Sequence, residues 1–448
     1  MGTRARRTGT GWTTILALAA ALAALGCGSV TKVDPDGAPG DDGADDDDGD
    51  DDVSGDLDAA LRDGAPEPDA RPLPTAPPVT IGQSAVLVLG APSFTDASGG
   101  LAANRFRWAS GITADDDNLW IADIDNARVL RWSAPPAANQ QAADLVVGQA
   151  DFDSRVAGPT NARLTPIDMA LVDGLADVTL AGDRLVVVDG QANRVLVWNQ
   201  QPDSNGAPAD MVLGQTTFNA STPGVNADQL NGPSGAWSDG EVLIVIDQVN
   251  NRALVWTSFP TANGQPADLV LGQSSFTSNA APSPPTASSM NLPTDVIYDG
   301  ERLYIVDSEN NRIMGWNGIP TESNQPADFF VGQPDGVSNI PNAGAGSQNA
   351  SAAGMHIPGA MTVAFGSLFV CDRVNFRVLV YSPRPSTTGE DADAVLGFAT
   401  FDSSVEVGKG QNFTPRGLGV FGDRLYLADS NVAFGSSRVL IYQLANLP

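Results

Sequence analysis

Short apolar runs recur along the chain, each closed by an acidic residue. LWIAD, LVVVD, LIVID, LYIVD, LFVCD and LYLAD end at Asp123, Asp189, Asp247, Asp307, Asp372 and Asp429. Each is followed by a turn and an arginine that opens another apolar run, at Arg128, Arg194, Arg252, Arg312, Arg377 and Arg438. The period is roughly 60 residues, and repetition of this kind predicts a solenoid or a propeller. The clearest copy, Leu292 to Gln333, reads as four strands: PTDVIYD, RLYIVD, NRIMGW and ADFFVGQ. Runs of this length, rich in Val, Ile, Leu and Tyr and bounded by Gly, Asp, Asn and Pro, predict an antiparallel meander. Asp239-Gly240, Asp299-Gly300, Gly182-Asp183 and Gly422-Asp423 are predicted to turn the first hairpin, because such pairs tolerate the positive φ of a tight turn.

Counting the outermost strand sets the number of units and how they close. VLVLG (Val86 to Gly90), ADLVVGQ, ADMVLGQ, ADLVLGQ, ADFFVGQ and ADAVLG give six copies. The first precedes any complete triplet of inner strands, whereas the last triplet, ending RVLIY at Tyr442, has only a short tail after it. The N-terminal strand is therefore expected to complete the last unit, which leaves no blade edge unpaired. The fold class predicted is all-β: a six-bladed β-propeller of four-stranded antiparallel blades over residues 81–448. These residues resemble the NHL-repeat family of propellers in Pro233-Ser234-Gly235 and Pro415-Arg416-Gly417, in the strand ending in Asp, and in the Asn-Arg turns at Asn193-Arg194, Asn251-Arg252 and Asn311-Arg312. The resemblance covers about residues 82 to 444 and implies the fold, not an activity, since the family includes scaffolds, sensors and a few enzymes. The units here are longer because both connecting loops are extended.

A residue pair present in every blade most economically serves the blade. The strand-end Asp and its Arg are thus read as structural, the carboxylate accepting turn N–H groups and the guanidinium bridging to it. Trp132, Trp198, Trp256, Trp316, Tyr381 and Tyr442 close the third strand in each copy and are expected to pack between blades. Cys371 stands where other blades have Ala, Val or Ile, so it is read as a small buried residue. The turn from Asn431 to Ser437 carries extra residues, and Phe434 there is a candidate exposed contact.

Function is expected where the repeats differ. Twelve residues before each strand-end Asp stand Gly111, Asp177, Gly235, Asp295, Ala360 and Gly417, so that Asp177 and Asp295 replace small residues at the start of the innermost strand. Four residues earlier the ring reads Arg107, Asp173, Asn231, Asn291, His356 and Phe413. These polar positions are expected at the channel mouth, where they either hold a ligand or solvate a water-filled channel. The long loops of the same face are rich in Ser, Asn, Gly and Pro, and loops on a rigid scaffold commonly carry binding.

Charge narrows the partners. The 53 acidic and 24 basic residues give a net charge of −29, which argues against nucleic acid. A single histidine excludes a His-rich metal centre. Arg4, Arg6 and Arg7 precede an apolar run from Trp12 to Leu25 and then Gly26 and Cys27, the layout of a secretory signal too short to span a membrane comfortably. Cys27 after Ala24, Leu25 and Gly26 resembles a bacterial lipobox, which implies lipidation at Cys27, and Gly28 in place of Asp favours the outer membrane or cell surface. Residues 27–80 then form an acidic, Pro-rich stretch with Asp45 to Asp48 and Asp50 to Asp52, expected to stay disordered as a tether. About fifty such residues would span about 40 Å root-mean-square.

Two function classes follow. The first is a membrane-tethered, extracytoplasmic binding module that takes a protein, peptide or glycan ligand on its loop-rich channel face. The second is a metal-dependent hydrolase or lyase, as in related six-bladed lactonases and the amidating lyase, which resemblance places at a channel metal. Asp173, Asp177, Asn231, Asn291 and Asp295 offer the hard oxygens that Ca²⁺ takes, although carboxylates on the second and fourth blades stand apart on the ring. No catalytic residue is assigned, and no GxSxG elbow, HExxH helix or phosphate loop appears.

Overall fold

The computed structural model describes residues 76–96, 98–165, 176–403, 413–431 and 436–445, all within the unit Leu57–Pro448. Cys27, the leader, the acidic stretch up to residue 75, Asp173 and Phe434 lie outside the described residues. Six four-stranded antiparallel sheets form, each from strands consecutive in the chain except the last. In the second blade, for example, Ala176–Ala181, Arg184–Asp189, Arg194–Trp198 and Met211–Leu213 pair in order. The sixth blade comprises Pro415–Phe421, Arg424–Asn431 and Ser436–Gln443, and its fourth strand is the N-terminal Leu87–Leu89. Leu87 pairs with Ile441, Val88 with Leu440 and Leu89 with Val439, and the Val86 N–H donates to the Ile441 carbonyl at 2.7 Å. The closure expected from the count of outer strands is thus present.

Because both faces of every blade are covered, the middle strands read as continuous apolar runs rather than alternating ones. Leu243–Asp247 and Arg252–Trp256 are buried at every position. The core is accordingly a set of seams: among the described residues, each apolar cluster draws on two neighbouring blades. Trp256 of the third blade packs with Val186 and Val188 of the second, and Val88 and Tyr442 of the sixth pack with Phe369 and Cys371 of the fifth.

The repeated Asp and Arg fix the loops to this framework. Arg252 Nε meets Asp247 Oδ2 at 2.7 Å with both side chains fully buried, and Arg128–Asp123, Arg312–Asp307 and Arg377–Asp372 repeat the contact. The remaining guanidinium N–H groups donate to loop carbonyls, such as Thr286 and Ser289 for Arg312 and Ser351 and Gly354 for Arg377. The carboxylate's other oxygen accepts the N–H of the residue leading into the inner strand: Asn231 to Asp247 at 2.7 Å, Asn291 to Asp307 at 2.7 Å, His356 to Asp372 at 2.7 Å. One buried ion pair therefore holds the turn and both long loops of its blade.

The Asn of the Asn-Arg turn joins blades. Asn193, Asn251 and Asn311 sit in the left-handed region at φ 52°, 54° and 55°, a conformation Asn tolerates better than most residues. Each side-chain oxygen accepts the N–H of the next blade's lead-in, at Gly232, Leu292 and Ile357 respectively, all at 2.8 Å.

Candidate binding cavity in the central channel

The six innermost strands surround a cavity of about 300 Å³. Close approach of these strands explains the small residues at their start. A Cβ on Gly417 would collide with the backbone carbonyl of Ser110 in the first blade, and one on Gly235 would stand 2.9 Å from the Thr294 carbonyl of the fourth. Polar side chains stitch the same level: Ser234 Oγ donates to the Thr294 carbonyl at 2.9 Å, and Thr294 Oγ1 donates to the Gly359 carbonyl at 2.5 Å.

Asp177 and Asp295 both line the cavity. Glycine in the preceding blade makes room for each: a Cβ on Gly111 would collide with Asp177 Oδ1, and one on Gly235 would lie 3.3 Å from Asp295 Oδ1. Each carboxyl then accepts a backbone N–H from the following blade, Ala236 to Asp177 Oδ2 at 3.2 Å and Met361 to Asp295 Oδ2 at 2.7 Å, and Asp295 Oδ1 also accepts the Val296 N–H at 2.8 Å. A carboxylate has about four acceptor sites, so capacity remains for a ligand or water. Burial raises both carboxyls, and for Asp177 the charge of Asp295 raises it further. Asp177 is pushed up to about 8 and Asp295 to about 6, so the two blades are electrostatically linked across the channel.

Two arginines complete the charged level. Arg416 opens the inner strand of the sixth blade, with its guanidinium carbon 5.6 Å from the centre of the Trp108 ring and its Nε donating to the Ser430 carbonyl at 3.4 Å. Arg373 follows the strand-end Asp372 of the fifth blade and folds its stem over Gly359, where a Cβ would collide with Arg373 Cδ. Both line the cavity, and both act electrostatically on the buried Cys371 thiol, as Asp295 does. Further along the inner strands the walls are mixed, with Ile112, Leu180, Trp237 and Ile297 beside Thr113, Thr179, Ser238 and Thr362. With about 3.3 Å of rise per strand residue, these lie about 3–10 Å beyond the charged level. Trp237 meets Tyr298 edge-on at a centroid distance of 5.3 Å.

Arg107, Asn231, Asn291 and His356 are not among the residues lining the cavity. Their backbone N–H groups serve the strand-end carboxylates, and the Arg107 side chain pairs with Asp125 at 2.8 Å, beside Arg155, which meets the other Asp125 oxygen at 2.6 Å. Of the five oxygen donors named for calcium, only Asp177 and Asp295 line the cavity, while Asp173 lies outside the described residues. Among the described residues no three His, Cys, Asp or Glu side chains gather as a metal cluster. Cys371 is fully buried in the seam between the fifth and sixth blades, and burial pushes its thiol up, away from thiolate chemistry.

Sequence reasoning missed Arg373 and underused Arg416. The signal was available as single-blade exceptions. After the strand-end Asp the blades carry Ile124, Gly190, Gln248, Ser308, Arg373 and Ser430, and one residue before the Gly/Asp position they carry Ser110, Ala176, Ser234, Thr294, Gly359 and Arg416.

No family model matches the chain, and no curated protein matches it. Solved structures align with the chain at low identity. Virginiamycin B lyase from Staphylococcus aureus aligns over 73% of this chain and 80% of its own at 12% identity and a TM-score of 0.38. The PQQ-bound aldose sugar dehydrogenase from Streptomyces coelicolor aligns over 82% of this chain and 100% of its own at 15% identity and a TM-score of 0.43. No residue role or activity is carried from either to this chain.

Proposed function

We propose that the protein is an extracytoplasmic propeller, tethered through Cys27 by the acidic stretch, that binds a small polar ligand in its central channel. The observation that carries this reading is the cavity itself: about 300 Å³, lined by Asp177, Asp295, Arg373 and Arg416 and, beyond them, by a mixture of apolar and hydroxyl side chains. Pockets that mix a few placed polar groups with apolar walls are the usual form of a small-molecule site. The strongly acidic chain and the lipobox-like Gly26-Cys27 support the tethered, extracytoplasmic setting.

The calcium-dependent enzyme is the weaker reading. Two guanidinium groups line the same cavity as the two aspartates, and a hard dication is disfavoured beside fixed positive charge. The test is retention of small molecules. Purified residues 76–448 would be incubated with a low-mass extract of the source envelope, washed and denatured, and the released molecules read by mass spectrometry beside an Arg373→Gln, Arg416→Gln double variant. A compound held by the wild type and lost from the variant is expected. Equal recovery from both proteins would defeat a binding role for the channel, and calcium at one equivalent per chain would revive the enzyme.

A further inference from the structure

Resting on the channel reading above, we infer that the ligand is a neutral sugar of monosaccharide size, held by its hydroxyl groups. Alternate residues of a strand share a face. On the inner strands, Ile112, Val178, Ala236, Val296, Met361 and Leu418 are buried in the six seams between blades. The positions on either side of them therefore ring the channel. The ring before them carries Asp177 and Asp295, and the ring after them carries Thr113, Thr179, Trp237, Ile297, Thr362 and Gly419. The two rings stand about 7 Å apart along the strands.

The second ring is two-sided. Thr362, Thr113 and Thr179 belong to the fifth, first and second blades, with only the side-chain-free Gly419 of the sixth between the first two of them. All three line the cavity as a hydroxyl arc, and none of these hydroxyls hydrogen-bonds to another described residue. Trp237 and Ile297, on the third and fourth blades, line the facing side. In the first ring, each aspartate is fixed by the next blade's N–H, at Ala236 and Met361. Burial raises both carboxyls, so the pair keeps a proton near neutrality and offers hydrogen bonds in both directions rather than two full negative charges.

A sugar ring matches this division, because hydroxyls crowd its edge while its C–H groups form an apolar face. An aliphatic ligand would strip the threonine hydroxyls of water and return no hydrogen bond, which is costly. A bare cation would use neither the hydroxyl arc nor the side of Trp237 and Ile297. The volume of about 300 Å³ lies at the lower end for small-molecule sites, which sets the scale at a monosaccharide.

The experiment is calorimetric titration of the full-length protein with D-glucose, D-galactose and D-mannose, each beside its 2-amino counterpart. At least one hexose is expected to bind at millimolar concentration or below. Thr113→Val with Thr179→Val removes two hydroxyls and should weaken that hexose about tenfold or more, whereas Thr113→Ser with Thr179→Ser should restore most of the affinity. Melting curves confirm that each variant is folded. No binding of any of the hexoses, or equal affinity in the valine variant and the wild type, would overturn the sugar. So would a preference of about tenfold or more for the amino sugar, since the carboxyls would then act as anions. If the extract experiment meanwhile yields a retained compound that is not a sugar, the channel remains a binding site with a different ligand; an empty extract together with silent titrations would remove both readings.

Discussion

Arg252 and Arg107 contrast two fates of the same side chain. Arg252 is fully buried against Asp247, whereas Arg107 meets Asp125 with about half of its side chain in water. Removing one partner of a buried pair strands the other, at a cost of about 3–5 kcal/mol, while an exposed pair contributes about 0–1 kcal/mol. Urea unfolding should therefore show Arg252→Ala severely destabilised and Arg107→Ala nearly unchanged; comparable losses would contradict the assignment of these roles. The channel aspartates predict a pH effect. Their folded values, about 8 and about 6, lie above the ordinary 3.8. Folding thus favours the protonated forms, and their contribution is full below about pH 4 and is lost as pH rises through about 6 and then 8. The melting temperature of the wild type relative to Asp177→Asn, Asp295→Asn should fall between pH 5 and pH 9, and a constant difference would remove the raised carboxyls. Asp177 and Asp295 were legible because they break the series of small residues at one equivalent position across the blades. Arg373 was not, because it comes from a turn and reaches the cavity over Gly359, a placement that strand register alone does not reveal.

At the scale of strands and turns, most of the architecture was written in the apolar runs. Six strand-end aspartates, the hairpin glycines and the outer-strand count specified the blades and their closure, since each is a local signal repeated in every unit. Gly240 and Gly300 have φ 99° and 94°, as the Asp-Gly turns require. What the pattern did not show was the tightness of the inner ring. Gly417 occupies a place where a methyl group meets backbone rather than a flexible side chain, so Gly417→Ala should cost about 1–3 kcal/mol through overpacking. Gly182→Ala is the control for lost conformational freedom without a clash, since its φ is 61° and nothing lies near. The closing strand gives a second prediction at this scale. Deletion up to residue 75 should leave the melting temperature nearly unchanged, whereas deletion through Gly90 removes Val79, Val88 and Leu89, all buried, and exposes the strand Ser436–Gln443. Equal melting of the two truncations would sink the closure.

For the molecule as a whole, the fold constrains function by leaving one place where blades differ chemically and face each other. Repeated residues are consumed in holding loops and seams, and the channel collects the exceptions. Its candidate chemistry was half legible: Asp177, Asp295 and Arg416 could be read from the inner strands, while the reach of Arg373 into the cavity needed the ring to be closed. The proposed tether belongs to this scale too. Cys27→Ser should move the protein from the membrane fraction to the soluble one, and a wild type already soluble and free of acyl mass would contradict the anchor. The most direct test of the channel as a binding site is a crystal structure of the protein grown with the compound retained in the extract experiment. Density within the cavity lined by Asp177, Asp295, Arg373 and Arg416 is the expected result; a channel holding only water while the compound sits on an outer face would contradict it.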